Sequence, residues 1–560
     1  MTPADKRQLE GQRCHCIGIG GCGMSGLARL LRARRCMVTG SDSQTSPVTE
    51  ALRADGFAVT SAQSEVSLPA DAQVVVASAA IKPDNPELLT AVERGLPILT
   101  YAEALGTCMA DRTGIAIAGT HGKSTTAAML GHALIQAGLD PTVIVGATCR
   151  QLGEKASQQP VSVDEDSRNP SPQPSPRGRG SGSVALQPSS AERVNVGASG
   201  TGFRMGAERI CAGALGGAPG ALVVEACEFN RSFHSLTPTV ASISAVEADH
   251  LDVYGSLDAV VEAFAQFAQL LPPEDKGGKL FIAHEGAHRR EVTARLLCAV
   301  ETIGFSPAAR WQVTHDVASR RVTLLRESEQ VASWTLQPPG EHNAMNSAFA
   351  AALAIALGAD ARLVGLALSS FVGVDRRVQL LGHRPLRSGG SVRVYDDYGH
   401  HPTEIDATLR ALRQREEPEK HGGRLICVFQ PHQHSRTRFF LDEFAASFSQ
   451  VDALIVPQIY FVRDSEMEKA KVQSSDLVDR LRSRGVRAMH LHPFEAIVEH
   501  LEQFCQDGDL LVVMGAGPVW KVAHAFMELA PDACPATLTA TATPALTGVA
   551  QEQCGADASG

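Results

Sequence analysis

Long apolar runs, a hydrophobic leader, surplus basic charge and a paired-cysteine pattern are all missing from this chain. No apolar run reaches the roughly 18–20 residues that span a bilayer. The nearest, residues 348–359, is short, Ala-rich and flanked by polar residues, so it reads as a packed helix and no membrane insertion is expected. The opening residues, MTPADKRQLEGQR, are polar and hold no signal core, which points to the cytoplasm. Lys and Arg number 51 against 61 Asp and Glu, a formal net charge of −10, and so acidic a balance argues against a general nucleic-acid binder. The 13 cysteines are scattered, several inside apolar runs as Cys427 is, which suits reduced thiols and not a disulfide framework. Cys14, Cys16 and Cys22 lie close together, but no second Cys/His pair stands near them at finger spacing, so no zinc site is read there.

What is present is βα alternation. At 560 residues the chain has room for three or four domains. Strand signals at 13–19, 36–39, 74–77 and 97–99, with a helix over 24–34, predict a parallel sheet in a first unit, residues 1–112. A second unit, 113–336, opens with a strand at 114–118, a Gly loop and a helix over 124–137 that stops at Gly138. Residues 158–201 interrupt it with PSPQPSPRGRGSGS, a composition with little to bury, and read as a disordered insertion. A third unit, 337–530, alternates strands at 392–395, 425–429, 453–456, 488–491 and 510–514 with helices, as a doubly wound sheet does. The Ala/Thr/Pro-rich residues 531–560 read as a disordered tail.

Two glycine loops carry the first chemistry. Gly18-Ile19-Gly20-Gly21-Cys22-Gly23 matches G-x-G-x-x-G between a strand and a helix, with Asp42 at the end of the next strand. Glycine lets a diphosphate reach the backbone, and the helix N-terminus favours anions. Alone, the loop supports a bound diphosphate; an NAD-dependent oxidoreductase and a ligand-free turn stay open at this point. The second loop runs Gly119-Thr120-His121-Gly122-Lys123-Ser124-Thr125. Its backbone amides would cradle phosphates, Lys123 would reach the terminal phosphates, and the Ser124 hydroxyl would bind Mg²⁺. It departs from the strict phosphate-loop form, because Ile117 stands at the first Gly position. Carboxylates follow in EACE, with Glu225 and Glu228, and in EADHLD around His250. Mg²⁺ prefers such oxygen ligands. The third unit adds GEHNAMN, YDDYGHHPTE and FQPHQHSRTR, the last two at strand ends where open α/β sheets bind ligands. Adjacent His400 and His401 are not read as a metal pair, since neighbours rarely face one ion.

Taken together, IGIGGCGMSG, SAAIKPDNPE, AGTHGKSTT, EACEFNRSF, EADHLD, GEHNAMN, YDDYGHHPTE and FQPHQHSRT resemble the Mur ligase family, over about residues 13–528 outside the insertion. The resemblance implies a three-domain α/β fold: N-terminal Rossmann-like, central P-loop ATPase-like and C-terminal Rossmann-like. It reassigns the first loop from NAD to a UDP diphosphate. It implies a cytoplasmic, ATP- and Mg²⁺-dependent ligase of peptidoglycan precursor synthesis. L-Alanine would be joined to the lactyl carboxylate of UDP-N-acetylmuramate through an acyl phosphate, with no enzyme nucleophile. By the same resemblance Lys123 holds the transferring phosphate, Ser124 and Glu225 bind one Mg²⁺ and His250 a second. His342, Asn343 and Asn346 meet adenine, while Arg376 or Arg377 and Asp397 reach the nucleotide from the third domain. Tyr398, His400 and Arg436 lie near the amino acid and acyl group, and Gly18, Gly20, Gly21, Gly23, Ser25, Asp42 and Ser78 hold the UDP-sugar. The rival in the family attaches a preformed tripeptide to the same sugar nucleotide. An oxidoreductase leaves GKSTT unexplained. Two departures stand out: Gln433 where many members have Arg, and Cys227 where E-A-D-E is common. Domain closure on both ligands is expected, in a monomer or homodimer.

Overall fold

The computed structural model describes residues 9–153, 201–210 and 215–528. The predicted tail lies outside them, as does the predicted insertion except for its last residue, Thr201, which opens a strand. Three sheets organise the chain. The first holds β1 (Arg13–Ile17), β2 (Met37–Ser41), β3 (Ala58–Thr60), β4 (Val74–Ala77) and β5 (Ile98–Thr100), all parallel, in the order 3-2-1-4-5. The order reverses between β1 and β4, and ligands of open α/β sheets sit at such a switch point. Gly18 begins the first loop there, at φ +78°.

The second sheet has ten strands, in the order 15-14-13-12-11-10-6-9-7-8. They are β6 (Thr113–Ala118), β7 (Thr142–Cys149), β8 (Thr201–Arg204), β9 (Ala221–Glu225), β10 (Val240–Ile243), β11 (Lys279–Ala283), β12 (Ala299–Gly304), β13 (Trp311–Asp316), β14 (Arg321–Arg326) and β15 (Glu329–Thr335). Its middle is parallel and buried; β6, TGIAIA, is buried at every residue, as a strand covered on both faces must be. The edges, β13–β15 and β8, are antiparallel. The third sheet holds β16 (Gln379–Pro385), β17 (Ser391–Asp397), β18 (Leu425–Phe429), β19 (Ala453–Val456), β20 (Ala488–His490) and β21 (Leu510–Met514), in the order 16-17-21-18-19-20 with only β16 antiparallel.

One predicted boundary moves. The helices Glu341–Ala356 and Ala361–Ser370 were expected in the third unit, from residue 337, yet they pack on the central sheet and its helix Lys123–Gln136. The cause is small side chains. Ala344, Ala348, Ala351 and Ala352 face Ala127, Ala128 and Ala133 in one buried cluster, so the two backbones approach closely. Trp334 of β15 then donates from its indole to Ser347 Oγ at 3.1 Å. The central unit therefore runs past GEHNAMN, which places that motif beside the phosphate loop. Among the described residues no helix is long and apolar enough to cross a membrane.

The same core holds a titratable group. His132 is buried, with Nε2 at 3.0 Å from Ser370 Oγ and Nδ1 without a hydrogen-bond partner among the described residues. Burial lowers its pKa from 6.5 to about 4. Between those values the unfolded chain binds a proton that the folded chain refuses, so stability falls as pH drops from 6.5 toward 4. The ceiling is on the order of 3 kcal/mol. Thermal melts of His132→Gln should therefore show a flatter acid limb than wild type over this range, with little difference above it. Parallel limbs would contradict the assignment.

Candidate active site

The phosphate loop leaves β6 and enters the helix Lys123–Gln136 through Gly122, at φ +80°. Side chains are excluded at two of its positions. A Cβ on Gly119 would lie 2.1 Å from Ser244 Oγ, and one on Gly122 2.2 Å from Asn346 Oδ1. Thr120 closes the loop from below: its N–H donates to Ala245 O at 2.9 Å, and its hydroxyl accepts from Glu247 N at 3.0 Å. Lys123 Nζ is folded over the loop. It donates to Gly119 O at 2.7 Å, Thr120 O at 3.0 Å and buried Glu228 at 2.9–3.0 Å. Burial opposes its charge most strongly, but Glu228 together with Cys227 and Glu225 outweighs burial and raises the ammonium pKa. Next to it the Ser124 hydroxyl donates to the Glu225 carboxylate, 2.9 and 3.0 Å from its two oxygens, and Gly146 N donates to Glu225 at 2.9 Å.

A cavity of about 240 Å³ opens from this loop between the central and third sheets. It brings together His121, Gly122, Thr125, His342, Asn343, Asn346, Arg377 and Asp397, expected residues drawn from four distant stretches. A polar ladder lines one wall: Thr126 donates to Asn346 Oδ1 at 3.3 Å, and Asn346 Nδ2 to Asn343 Oδ1 at 3.2 Å. Burial holds His342 neutral, with its pKa at about 4. On the far wall Asp397 accepts from Val378 N and Gly399 N at 2.7 Å each, and burial raises its pKa to about 6 against the pull of Arg377. The two candidate arginines part here. Arg377 lines the cavity. Arg376 points into the third unit, to Asp396 at 3.2 Å and Gly515 O at 2.7 Å. Both guanidinium groups lie over the ring of Tyr398, at 5.1 and 5.0 Å.

The units are laced together around this cavity. His121 sits between Glu404 of the third unit at 3.2 Å and Glu247 of the central unit at 3.3 Å. Burial disfavours its charge, but the two carboxylates prevail and raise its pKa to about 9. Thr403 donates to Glu247 at 2.8 Å, and His401 Nε2 to Ala248 O at 3.1 Å. Arg436, in the helix His434–Phe439, reaches back to Asp249 at 2.8 and 3.2 Å. Both partners are buried; burial pushes the Asp249 carboxyl up, but Arg436 together with His250, His400 and His401 holds it well below the usual carboxylate range. His250, at φ +50°, completes a group with Glu228 and Asp249 whose donor atoms all lie within 4.8 Å of one another. Burial lowers the His250 pKa to about 4, so the imidazole is neutral and free to ligate. His400 is also neutral, its pKa lowered to about 4 by burial; its Nδ1 is 3.1 Å from Tyr398 O and its ring 5.9 Å from that of His432.

A second cavity, about 520 Å³, lies at the switch point of the first sheet. Gly18, Gly21, Asp42 and Ser78 line it. Gly20 N donates to Asp42 at 2.8 Å and so fixes the loop. Gly23 and Ser25 do not reach it. A Cβ on Gly23 would press on the Tyr101 ring at 3.0 Å, and Ser25 is buried in the helix Cys22–Ala33 with its hydroxyl on Cys22 O. Their motif positions serve packing. Sequence reasoning passed over Lys82, the one cation lining this cavity among the described residues, although SAAIK contains it. It named Glu247 and Asp249 only as carboxylates of EADHLD and gave Glu404 no role, because their partners are what the third unit brings against them.

One parallel sheet and two mixed ones, a phosphate loop in the parallel middle of the second and a cavity roofed by the third are the frame of a ligase class. Three family models match the chain: "Mur ligase family, catalytic domain" over residues 13–113, "Mur ligase middle domain" over 196–354 and "Mur ligase, glutamate ligase domain" over 376–517. The chain belongs to the Mur ligase family. It is 32% identical over 520 residues to UDP-N-acetylmuramate–L-alanine ligase of Acetivibrio thermocellus, covering 92% of this chain and 95% of that one. It is 34% identical to the protein of the same name in Lachnospira eligens, covering 92% and 97%. Among solved structures, the UDP-N-acetylmuramate-alanine ligase of Thermotoga maritima superposes with a TM-score of 0.66 at 22% identity, over 92% of this chain and 98% of that one. A murein peptide ligase of Psychrobacter arcticus gives 0.64 at 21%, over 92% and 98%.

Proposed function

We propose that the protein is an ATP-dependent ligase that joins L-alanine to the lactyl carboxylate of UDP-N-acetylmuramate, in the cytoplasmic synthesis of peptidoglycan precursor. The observation that carries this reading is the shared cavity. It is walled by His342, Asn343 and Asn346 and by His121 and Gly122 of the loop that bears Lys123, while Arg436 of the third unit meets His250 of the central unit at 3.4 Å. The names of the relatives above 30% identity supply the substrates.

A carboxylate is a poor acyl donor, so its oxygen first takes the γ-phosphoryl group of ATP, giving an acyl phosphate and ADP. The amine then attacks the acyl carbon, and the tetrahedral intermediate expels phosphate. Catalysis is positioning plus neutralisation of phosphoryl charge. Lys123 exchanges Glu228 and its loop carbonyls for the γ-phosphate. Ser124 and Glu225 fit Mg²⁺ as a hard oxygen pair beside the phosphate loop, and neutral His250 fits a second ion with the Glu228 and Asp249 carboxylates at its side. Bound Mg²⁺ screens the charge of the phosphoryl oxygens. His400, whose Nδ1 is directed to Tyr398 O, keeps Nε2 for the proton that the attacking amine loses. Gly18, Gly21, Asp42, Ser78 and Lys82 hold the UDP-sugar. The third unit, seated over the cavity, keeps water from the acyl phosphate.

The second reading is attachment of a preformed peptide, and the similar fold of a murein peptide ligase favours it. Phosphate release decides between them. With ATP, Mg²⁺ and UDP-N-acetylmuramate, L-alanine should give the fastest release, Gly and L-Ser slower release, and a preformed tripeptide little. Release with the tripeptide alone would replace the first reading by the second. L-Ala, Gly and L-Ser differ by groups worth only about 1–3 kcal/mol, so the preference among them should be one of degree.

A further inference from the structure

Arg436 is the guanidinium that the family resemblance places near the incoming amino acid, yet it is already engaged. Only 5% exposed, it gives two hydrogen bonds to Asp249, and its other terminal nitrogen is 3.4 Å from His432. It is a bridge between units, not a free cation. A second arginine stands beside it uncommitted. Arg463, in the loop after β19, is exposed and has neither an ion pair nor a hydrogen bond among the described residues. Its guanidinium carbon lies 4.5 Å from the centre of the Phe229 ring, in the central unit, and that ring meets His250 edge-on at 5.1 Å. Arg463 thus reaches from the third unit to a ring of the central unit that itself touches His250.

The loop that carries it is fixed. Tyr460 N donates to Pro431 O at 2.9 Å, and Gln433 N to Tyr460 O at 3.1 Å. The next residue, Asp464, accepts from His434 N at 2.5 Å and Ser435 N at 3.4 Å, at the head of the helix bearing Arg436. The two arginines therefore ride on segments tied to each other. Burial is the main reason that His250 and His432 stay below the ordinary imidazole value, and the nearby charge of Arg463 adds to it.

We infer that Arg463 is the cation that receives the α-carboxylate of the incoming amino acid, leaving its amine turned toward the acyl group beside His250. This rests on the ligase reading. A planar guanidinium fork matches a carboxylate with two parallel hydrogen bonds, and its exposure leaves it open to an amino acid arriving from solvent. The acyl group is already bound to the sugar nucleotide, so the carboxylate is the only negative handle by which a small amino acid can be held.

The test pairs Arg463→Gln with Arg463→Lys and compares L-alanine with L-alaninamide, which keeps the amine and lacks the charge. Wild type should show a KM for the amide at least about 100-fold above that for L-alanine. Arg463→Gln should raise the KM for L-alanine about 10- to 100-fold, leave that for L-alaninamide nearly unchanged, and leave the KM values for ATP and UDP-N-acetylmuramate within about 2-fold. Arg463→Lys, with charge but no fork, should fall between. A glutamine variant that keeps the wild-type preference for acid over amide overturns the assignment, as does a wild type that uses both equally. A wild type inert toward L-alanine overturns the ligase reading and the assignment together.

Discussion

Replacing Lys123 by alanine is expected to reduce phosphate release by at least about 10³-fold, the scale of losing one preorganised charge at a developing oxyanion. A second effect sets this variant apart from a simple active-site deletion. Lys123 is the partner of Glu228, whose side chain is only 4% exposed. Removing one member of a buried pair leaves the other uncompensated, at a cost of about 3–5 kcal/mol. Lys123→Ala should therefore melt lower as well as turn over slowly. Lys123→Met combined with Glu228→Gln removes both charges and should recover most of the melting temperature while activity stays lost. Equal melting temperatures for Lys123→Ala and wild type would show that the pair is not formed before ATP binds.

Arg436→Ala should have the next largest effect, a fall in turnover of about 10²–10³-fold. It cuts the buried bridge to Asp249, which is itself hydrogen-bonded to His250 N at 2.7 Å. One change thus cuts the buried ion pair among the ties between the third unit and the central one and loosens the His250 backbone. Small-angle scattering should show wild type compact when both ATP and UDP-N-acetylmuramate are present, and Arg436→Ala more extended under the same conditions. Asp249→Asn, which keeps the shape and loses the charge, should lie between them. A variant as compact as wild type, with its turnover intact, would remove Arg436 from the closing contact.

Local periodicity made much of this molecule legible. Strands such as LICVF in β18 and LLVVM in β21 lie where uninterrupted apolar runs predict them, because a strand covered on both faces must be apolar throughout. The two glycine loops were legible because a turn with no room for Cβ leaves few residue choices. The boundary at residue 337 was not. The helix Glu341–Ala356 is Ala-rich nearly all round, and such a helix names no partner until a second small-residue surface, on Lys123–Gln136, is brought against it. The cross-unit contacts were hidden for the same reason. Asp249 and Arg436 are 187 positions apart, and nothing local to either marks the other. Gly23 and Ser25 err in the opposite sense: they lie within a binding motif, yet the first turn of their helix points them at Tyr101 and their own backbone. Of the two departures, Cys227 is exposed between Glu225 and Glu228, while Gln433 is buried at φ +70°, opening the helix that bears Arg436.

The most direct test of the account is to follow oxygen. UDP-N-acetylmuramate labelled with ¹⁸O in its lactyl carboxylate is incubated with the enzyme, ATP, Mg²⁺ and L-alanine, and the released phosphate is weighed by mass spectrometry. An acyl phosphate requires one carboxylate oxygen to leave with each phosphate, so the account predicts one ¹⁸O per phosphate formed, with formation dependent on L-alanine. Unlabelled phosphate, released at the same rate with or without the amino acid, would contradict it.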